Sequence, residues 1–348
     1  MQEVMFGRFA EAVSKEIALR AHEMTDKVNT LYIGGGTPSV LPLSVFETIL
    51  TALADVGHGG PYDEFTVEVN PEDIVEKGLP YVEGLVRLGV NRISMGVQSF
   101  DDGILKFMNR RHDAATAQKA YSILEEAGVG NISIDLIFGL PQLTDAQWQD
   151  TLDKALSISS TGRPPQHISS YQLSVEPGSM LARLAEKGKF EEAPEELCQR
   201  QYSMLCEALS KAGYRHYEIS NFALPGYEAK HNSAYWRHVP YVGLGPGAHS
   251  FIAQGRQWNQ PDLNGYIEDP ATVRDGEELT EEQLVLEHIM LALRTDEGIS
   301  GSYLREHADP RELERAVRTG NLIQIEDGRV RIPEDRFFVS DSIITDLI

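Results

Sequence analysis

The chain of 348 residues holds only two cysteines, Cys198 and Cys206, so it lacks the three closely spaced thiolates that chemistry of the iron-sulfur type needs. The pair gives no disulfide framework of the kind a small secreted chain shows. On a helix the two thiols would lie a little over two turns apart, too far for one metal. Basic residues are also in short supply. There are 31 Lys and Arg against 53 Asp and Glu, a formal charge of -22, which argues against capture by nucleic acid or by an anionic bilayer. No run approaches about eighteen consecutive apolar residues. The opening stretch Met1 to Thr30 breaks its short apolar groups with Glu3, Glu11 and Glu16, leaving no apolar core of the signal-peptide type. No membrane span and no nucleic-acid partner are expected, and the cytoplasm is the expected compartment. HExxH, zinc-type Cys and His spacing and GxSxG are missing too, so a hydrolytic metal or a serine triad has no support.

What is present is a repeated alternation of apolar strand-like and amphipathic helix-like segments, the pattern of a parallel sheet covered by helices. The expected order is helix 6–23, strand 29–33, helix 43–56, strand 64–69, helix 78–88, strand 91–97, helix 114–127, strand 131–137, helix 145–158, strand 166–173, helices 179–187 and 194–211, and a last strand 214–219. The stretch 221–250, rich in Gly, His and aromatics, is too irregular for a buried helix or strand and is expected to be an ordered lining or lid. A helix over 281–293, another near 302–317 and two strand-like pieces at 322–326 and 329–333 suggest a small C-terminal lobe of winged-helix type. The acidic tract 267–283 is expected to be a solvated connector, which divides the chain into 1–265 and 266–348.

Polar or glycine-containing signatures follow the strands at one end: Gly34-Gly35-Gly36-Thr37-Pro38, Glu68-Val69-Asn70-Pro71, Gly96-Val97-Gln98-Ser99-Phe100, Asp135 with Gly139-Leu140-Pro141, and Tyr171-Gln172-Leu173. In barrel-like α/β folds the loops at the C-terminal strand ends converge on one mouth, so these signatures suggest one site. The three glycines could present backbone N–H groups to a carboxylate, a phosphate or an amino acid, or could merely make a tight turn. Glu68 could accept from a ribose or bind an ammonium group, or be a solvated strand end. Asp135, flanked by Ile134 and Leu136, is expensive on an apolar strand unless partnered by a ligand, a nearby Arg or a backbone turn. His231 and His249 stand among small residues, where imidazoles could ligate a metal or heme iron, or hold a packed loop.

These segments in this order, with Asn109-Arg110, Tyr217-Glu218-Ile219-Ser220-Asn221-Phe222, His231-Asn232-Ser233-Ala234-Tyr235-Trp236 and Gly243 to Phe251, closely resemble the heme chaperone HemW and oxygen-independent coproporphyrinogen III oxidase-like family of the radical S-adenosylmethionine superfamily. The resemblance runs from about residue 10 to the C-terminus. It implies a partial (β/α)6 TIM-like barrel with its first strand missing and a small winged-helix-like C-terminal domain. It places S-adenosylmethionine across the strand ends, with Gly35, Gly36 and Thr37 near the methionyl part and Glu68, Gln98, Arg110 and Asp135 around the nucleoside and carboxylate. Arg offers a fork to a carboxylate, whereas Glu and Asp accept from hydroxyls or an ammonium group.

The same resemblance implies heme as a second ligand, with His231 and His249 as its contacts and a respiratory heme protein as recipient. Family members carry a CxxxCxxC loop holding a [4Fe-4S] cluster, and nothing in this chain matches it. The expectation is an N-terminal truncation, by cloning or by the assigned gene start, that leaves reductive cleavage of S-adenosylmethionine absent and one sheet edge open to self-association. A radical decarboxylase of the coproporphyrinogen oxidase type and a cluster-free interaction module are the alternative functions.

Overall fold

The computed structural model describes residues 2–253 and 255–348. Helix α1 (Gln2–Arg20) leads into β1 (Thr30–Ile33), α2 (Leu43–Asp55), β2 (Glu64–Val69), α3 (Pro71–Arg87), β3 (Arg92–Gln98), α4 (Asp102–Phe107), α5 (Ala114–Glu126), β4 (Ile132–Phe138), α6 (Asp145–Leu156) and β5 (His167–Gln172). Strands β1 to β5 pair in sequence order and in parallel, as expected from alternating strands and helices. Their boundaries follow the apolar runs to within a residue or so. Helix α3 begins earlier than expected, at Pro71, because its first piece is separated from the rest by Gly78 in the left-handed region.

Period-two alternation gives the sheet two unlike faces. Phe65, Val67, Val69, Ile93, Met95, Val97, Ile132, Ile134 and Leu136 are buried in the main core cluster with Val82 and Leu85 of α3, Ala117, Tyr121 and Leu124 of α5, and Trp148 and Leu152 of α6. The residues between them, Glu64, Thr66, Glu68, Arg92, Ser94, Ser133, Asp135, His167 and Ser169, form a second face that is almost wholly polar. A polar face on interior strands is costly unless its groups are paired, so it concentrates function where the helices do not cover it.

The far side of the sheet departs from the expected pattern. After α7 (Met180–Glu186) and α8 (Glu195–Lys211), β6 (Arg215–Glu218) turns through Ile219 and Ser220 into β7 (Asn221–Ala223), and β7 inserts antiparallel between β5 and β6. The strand at 214–219 thus does not complete a parallel series. A two-residue connection allows only the antiparallel return that this hairpin makes. The stretch 221–250 is likewise not irregular throughout. It contains buried β7, helix α9 (Lys230–Trp236) and the start of β8 (His249–Ile252). Strand β8 joins β9 (Gly255–Asn259) and β10 (Arg274–Glu278) in an antiparallel three-stranded sheet. The acidic tract 267–283 is accordingly no plain connector, since Arg274–Glu278 pairs with β9 and Tyr266, on α10 (Leu263–Glu268), is buried against α1 and α2.

Toward the C-terminus α11 (Glu281–Ala292) precedes β11 (Ile299–Ser300), α12 (Gly301–His307), α13 (Pro310–Arg318), β12 (Ile323–Gln324), β13 (Arg329–Arg331) and α14 (Ser340–Leu347). The single helix expected near 302–317 is two, broken where Asp309 caps Pro310. Strands β11, β13 and β12 form a small antiparallel sheet. Ile289, Leu304, Ile332, Phe337 and Leu347 of this region belong to the same apolar cluster as the main sheet.

Candidate functional site

The C-terminal end of β1 delivers Gly34, Gly35 and Gly36 to the surface beside Glu68. The Tyr32 hydroxyl donates to Glu68 Oε1 at 2.6 Å and the Gly35 N–H donates to Glu68 Oε2 at 3.0 Å. Burial and the neighbouring Glu68 charge push the Tyr32 phenol far above its ordinary value and keep it a donor. A Cβ at Gly34 would collide with the Tyr32 ring and come within 2.6 Å of the Glu68 carboxyl carbon, so glycine is required there by close approach. Gly35 has φ +79, and a Cβ built on Gly35 or Gly36 would meet nothing within 4 Å, so the loop is open above the carboxylate. Thr37 precedes a 3-10 turn, Pro38–Val40.

Beyond Glu68, Gln98 ends β3, Arg110 lies in the loop after α4, and Asp135 stands at the middle of β4. Gln98 is held at φ 65, an unusual conformation for a residue with a side chain, at a register shift between β3 and β4. Arg110 donates through Nη2 to Asn70 Oδ1 at 3.0 Å and to the Gly96 carbonyl at 3.1 Å, while its buried Nε has no partner. Arg111 bridges Glu72 and Asp73 at 2.9 and 3.2 Å, and His112 sits between Glu72 Oε2 at 3.1 Å and the Val97 carbonyl at 3.0 Å. Burial raises Glu72, but His112 and Arg111 outweigh it and bring the carboxyl down to about 2. This network ties the segment carrying Arg110 to the start of α3.

Asp135 accepts from the Ser94 hydroxyl at 3.1 Å, across the β3–β4 ladder. Burial pushes its carboxyl up to about 6 in spite of Ser94 and Arg92 nearby. Glu68, Ser94, Asp135 and Ser169 follow one another across neighbouring strands, and the band continues to Asn221 and Glu218 through β7. A bulge between His216 and Glu218 turns this end of β6, so that Glu218 lies opposite Asn221. Burial raises Glu218 to about 7, and its Oε1 and Asn221 Oδ1 are both buried without partners.

The two histidines have different surroundings. His231 lies in α9, whose first N–H groups, those of Lys230 and His231, donate to Glu64 at 2.7 and 3.0 Å. Both of its ring nitrogens are engaged, Nδ1 with Thr30 Oγ1 and Nε2 with Tyr235 Oη, each at 2.8 Å, and the ring stacks on Tyr32 at 5.1 Å between centroids. Burial lowers its pKa, so it is a neutral ring. It therefore stands near the N-terminal strand ends, while Glu68 and Gln98 stand at the other end. His249 is exposed at the start of β8, its ring 6.1 Å from that of Trp258. The two imidazoles do not form one cluster with the Glu68 cradle.

The glycine-rich loop before His249 is held from a distance. Arg20 of α1, 1% exposed, donates to the Gly243 carbonyl at 2.5 Å and to Ser250 Oγ at 2.9 Å, while Glu16 accepts from the Gly245 N–H at 2.8 Å. Tyr266 and Asn259 complete the Glu16 shell at 2.7 and 2.8 Å. Sequence reasoning missed Glu16, Arg20, Glu64, Tyr32 and His112. Glu16 and Arg20 gave one signal, an acid and a base four apart on the same helix face, but not their partner.

The site can take a polar ligand with hydroxyl or ammonium donors on Glu68 and Asp135, and a carboxylate on Arg110. It cannot hold an iron-sulfur cluster as it stands. Cys198 is buried in α8, Cys206 is pushed up to about 12 by burial, and no group of three or more His, Cys, Asp or Glu among the described residues could hold a metal ion.

Comparison with known proteins gives four findings. The sequence profile of the radical SAM superfamily matches residues 4–155. The heme chaperone HemW of Synechocystis sp. is 36% identical over 305 residues, covering 86% of this chain and 72% of that protein. HemW of Mycobacterium tuberculosis is 30% identical over 346 residues, covering 98% of this chain and 86% of that one. Among solved structures, coproporphyrinogen III oxidase (HemN) from Escherichia coli, a radical SAM enzyme, superposes with a TM-score of 0.80 over 98% of this chain and 82% of its own, at 21% identity. The architecture is thus a partial, open α/β barrel of the radical SAM type, whose polar face is its interior.

Proposed function

The chain belongs to the HemW and HemN-like radical SAM family while lacking that family's cluster-binding cysteine motif, and from that premise we propose that it is a heme chaperone-like protein that binds S-adenosylmethionine and heme for heme delivery. The observation that carries this reading is the cradle at the C-terminal end of β1 and β2. Its glycine loop is open, and the Glu68 carboxylate is aligned by Tyr32 and Gly35.

Gly35, Gly36 and Thr37 would lie along the methionyl part. Glu68 and Asp135 would accept from the ribose hydroxyls or the ammonium group, Gln98 would border the nucleoside, and the free edge of Arg110 would meet the carboxylate. These donors and acceptors fit that ligand, which supplies a sulfonium and a zwitterionic head when bound. The two cysteines do not fit a [4Fe-4S] cluster. For heme, His249 offers an accessible imidazole. His231 would have to give up its bond to Tyr235 before its Nε2 could reach iron. The last segment is proposed as winged-helix-like on the strength of its three-stranded sheet and short helices.

The test is a pair of titrations on the purified chain, S-adenosylmethionine by calorimetry and hemin by absorbance, with H231A and H249A beside the wild type. Saturable one-to-one binding of hemin, reduced in one variant, supports the chaperone reading. A folded protein that binds neither ligand overturns it in favour of a cluster-free interaction module.

A further inference from the structure

The barrel interior contains a buried cation that no described carboxylate meets within 4 Å, although Asp135 lies near enough to feel its charge. Arg92 opens β3, is 2% exposed, and alternates onto the same face as Ser94 and Asp135. No ion pair among the described residues includes it, and its Nε has no hydrogen-bond partner. The residue paired with it on β2, Thr66, is fully buried and its hydroxyl is likewise without a partner. Arg20 shows what a structural arginine in this protein looks like. It is equally buried, and its guanidinium meets Glu16, Glu23, Ser250 and the Gly243 carbonyl. Arg92 has no such set. The carboxylates that share its face already have donors of their own. Glu64 holds the N–H groups of Lys230 and His231, Glu68 holds the Tyr32 hydroxyl and the Gly35 N–H, and Asp135 holds the Ser94 hydroxyl. His167 is satisfied by Ser133 and Tyr217. A buried guanidinium without a direct hydrogen-bonded counter-ion is expensive, and a planar fork with free donors beside a free hydroxyl matches a carboxylate.

We propose that Arg92, with the Thr66 hydroxyl beside it, anchors a carboxylate of the ligand that enters the barrel interior. The assignment rests on the heme reading above, and the carboxylate is then a propionate arm of the tetrapyrrole. Arg110 is a different position, tied to Asn70 and Gly96 near the Glu68 cradle, so the two arginines serve two carboxylates. Arg92 lies nearer the N-terminal end of its strand than Gly96.

The experiment compares hemin with hemin dimethyl ester, whose propionates are capped, by absorbance titration of the full chain, and follows S-adenosylmethionine by calorimetry. Wild type should bind the free acid more tightly than the diester. R92Q should weaken hemin by about tenfold or more, the scale of a lost charge-assisted pair. Its affinity for the diester and for S-adenosylmethionine should stay at the wild-type level. T66V, a volume-conserving change, should weaken hemin in the same direction and keeps the test open if R92Q does not fold. An unchanged preference for the free acid in both variants overturns the propionate anchor while leaving the heme reading intact. Failure of wild type to bind either porphyrin overturns the heme reading, and the anchor with it.

Discussion

Glu68 is the residue on which the cradle turns, because among the described residues it is the one carboxylate that both the glycine loop and β1 hold in place. Its replacement E68Q keeps the shape and removes the charge, and should weaken S-adenosylmethionine by roughly 1.5–3 kcal/mol, the worth of a hydrogen bond to a charged group, read by calorimetry. Two other acids on the band make the protein sensitive to pH. Burial holds Asp135 at about 6 and Glu218 at about 7, above their ordinary values of 3.8 and 4.5. The native state therefore keeps protons that the unfolded chain releases near pH 4. The stability contributed by these groups is complete below about pH 4 and is lost as the pH rises through 6 and 7. In urea denaturation E218Q should flatten that fall and, at pH 8, exceed wild type by an amount on the order of 2 kcal/mol. A wild-type stability that instead rises between pH 4 and 7, with E218Q following it, would contradict this assignment. Ligand affinity should run the other way, falling below pH 6 as Asp135 gains a proton and loses an acceptor.

At the scale of elements, α9 depends on a carboxylate from another part of the chain. Seven residues make a helix that is marginal alone, and its start is fixed by Glu64 on β2, with His231 wedged between Thr30 and Tyr235. E64A leaves two N–H groups without their acceptor, and should speed amide hydrogen exchange over residues 230–236 by about tenfold or more while the strands β3 and β4 stay protected. Equal protection in the variant would show that packing on Tyr32, rather than the carboxylate, seats this helix. The loop from Gly243 to Ser250 is dependent in the same way, on Glu16 and Arg20.

For the whole molecule, the decisive feature is a radical SAM-type barrel without thiolates at its mouth. Incubation with iron and sulfide under anaerobic conditions should leave this chain without the stoichiometric absorbance near 400 nm and the reduced-state paramagnetic signal of a [4Fe-4S] centre. A cluster assembled on Cys198 and Cys206 with other ligands would overturn that expectation. The edge strand β1, with β2 as its one strand partner among the described residues, is half-buried along its length rather than fully exposed. Among the described residues no helix is long and apolar enough to cross a membrane.

By itself the sequence determined the order and kind of the main elements, because apolar runs at period two and amphipathic runs at period 3.6 are local signals. It also marked Glu68, Gln98, Arg110 and Asp135 as lying on or after consecutive strands, since a parallel sheet puts like ends together. It showed that this chain lacks the cluster-binding cysteine motif, which needs only a count of cysteines. The tertiary structure alone decided what those residues touch. The short β7 was hidden because three residues carry too little periodicity, and its insertion beside β5 depends on a two-residue turn. The histidines, alike in sequence, proved unlike because Thr30 and Tyr235 close around one and leave the other exposed. Arg92 looked like any strand-start arginine. Only the fold shows that the carboxylates on its face already have donors, because hydrogen bonds between residues distant in sequence are set by three-dimensional proximity and leave no local trace in the order of amino acids.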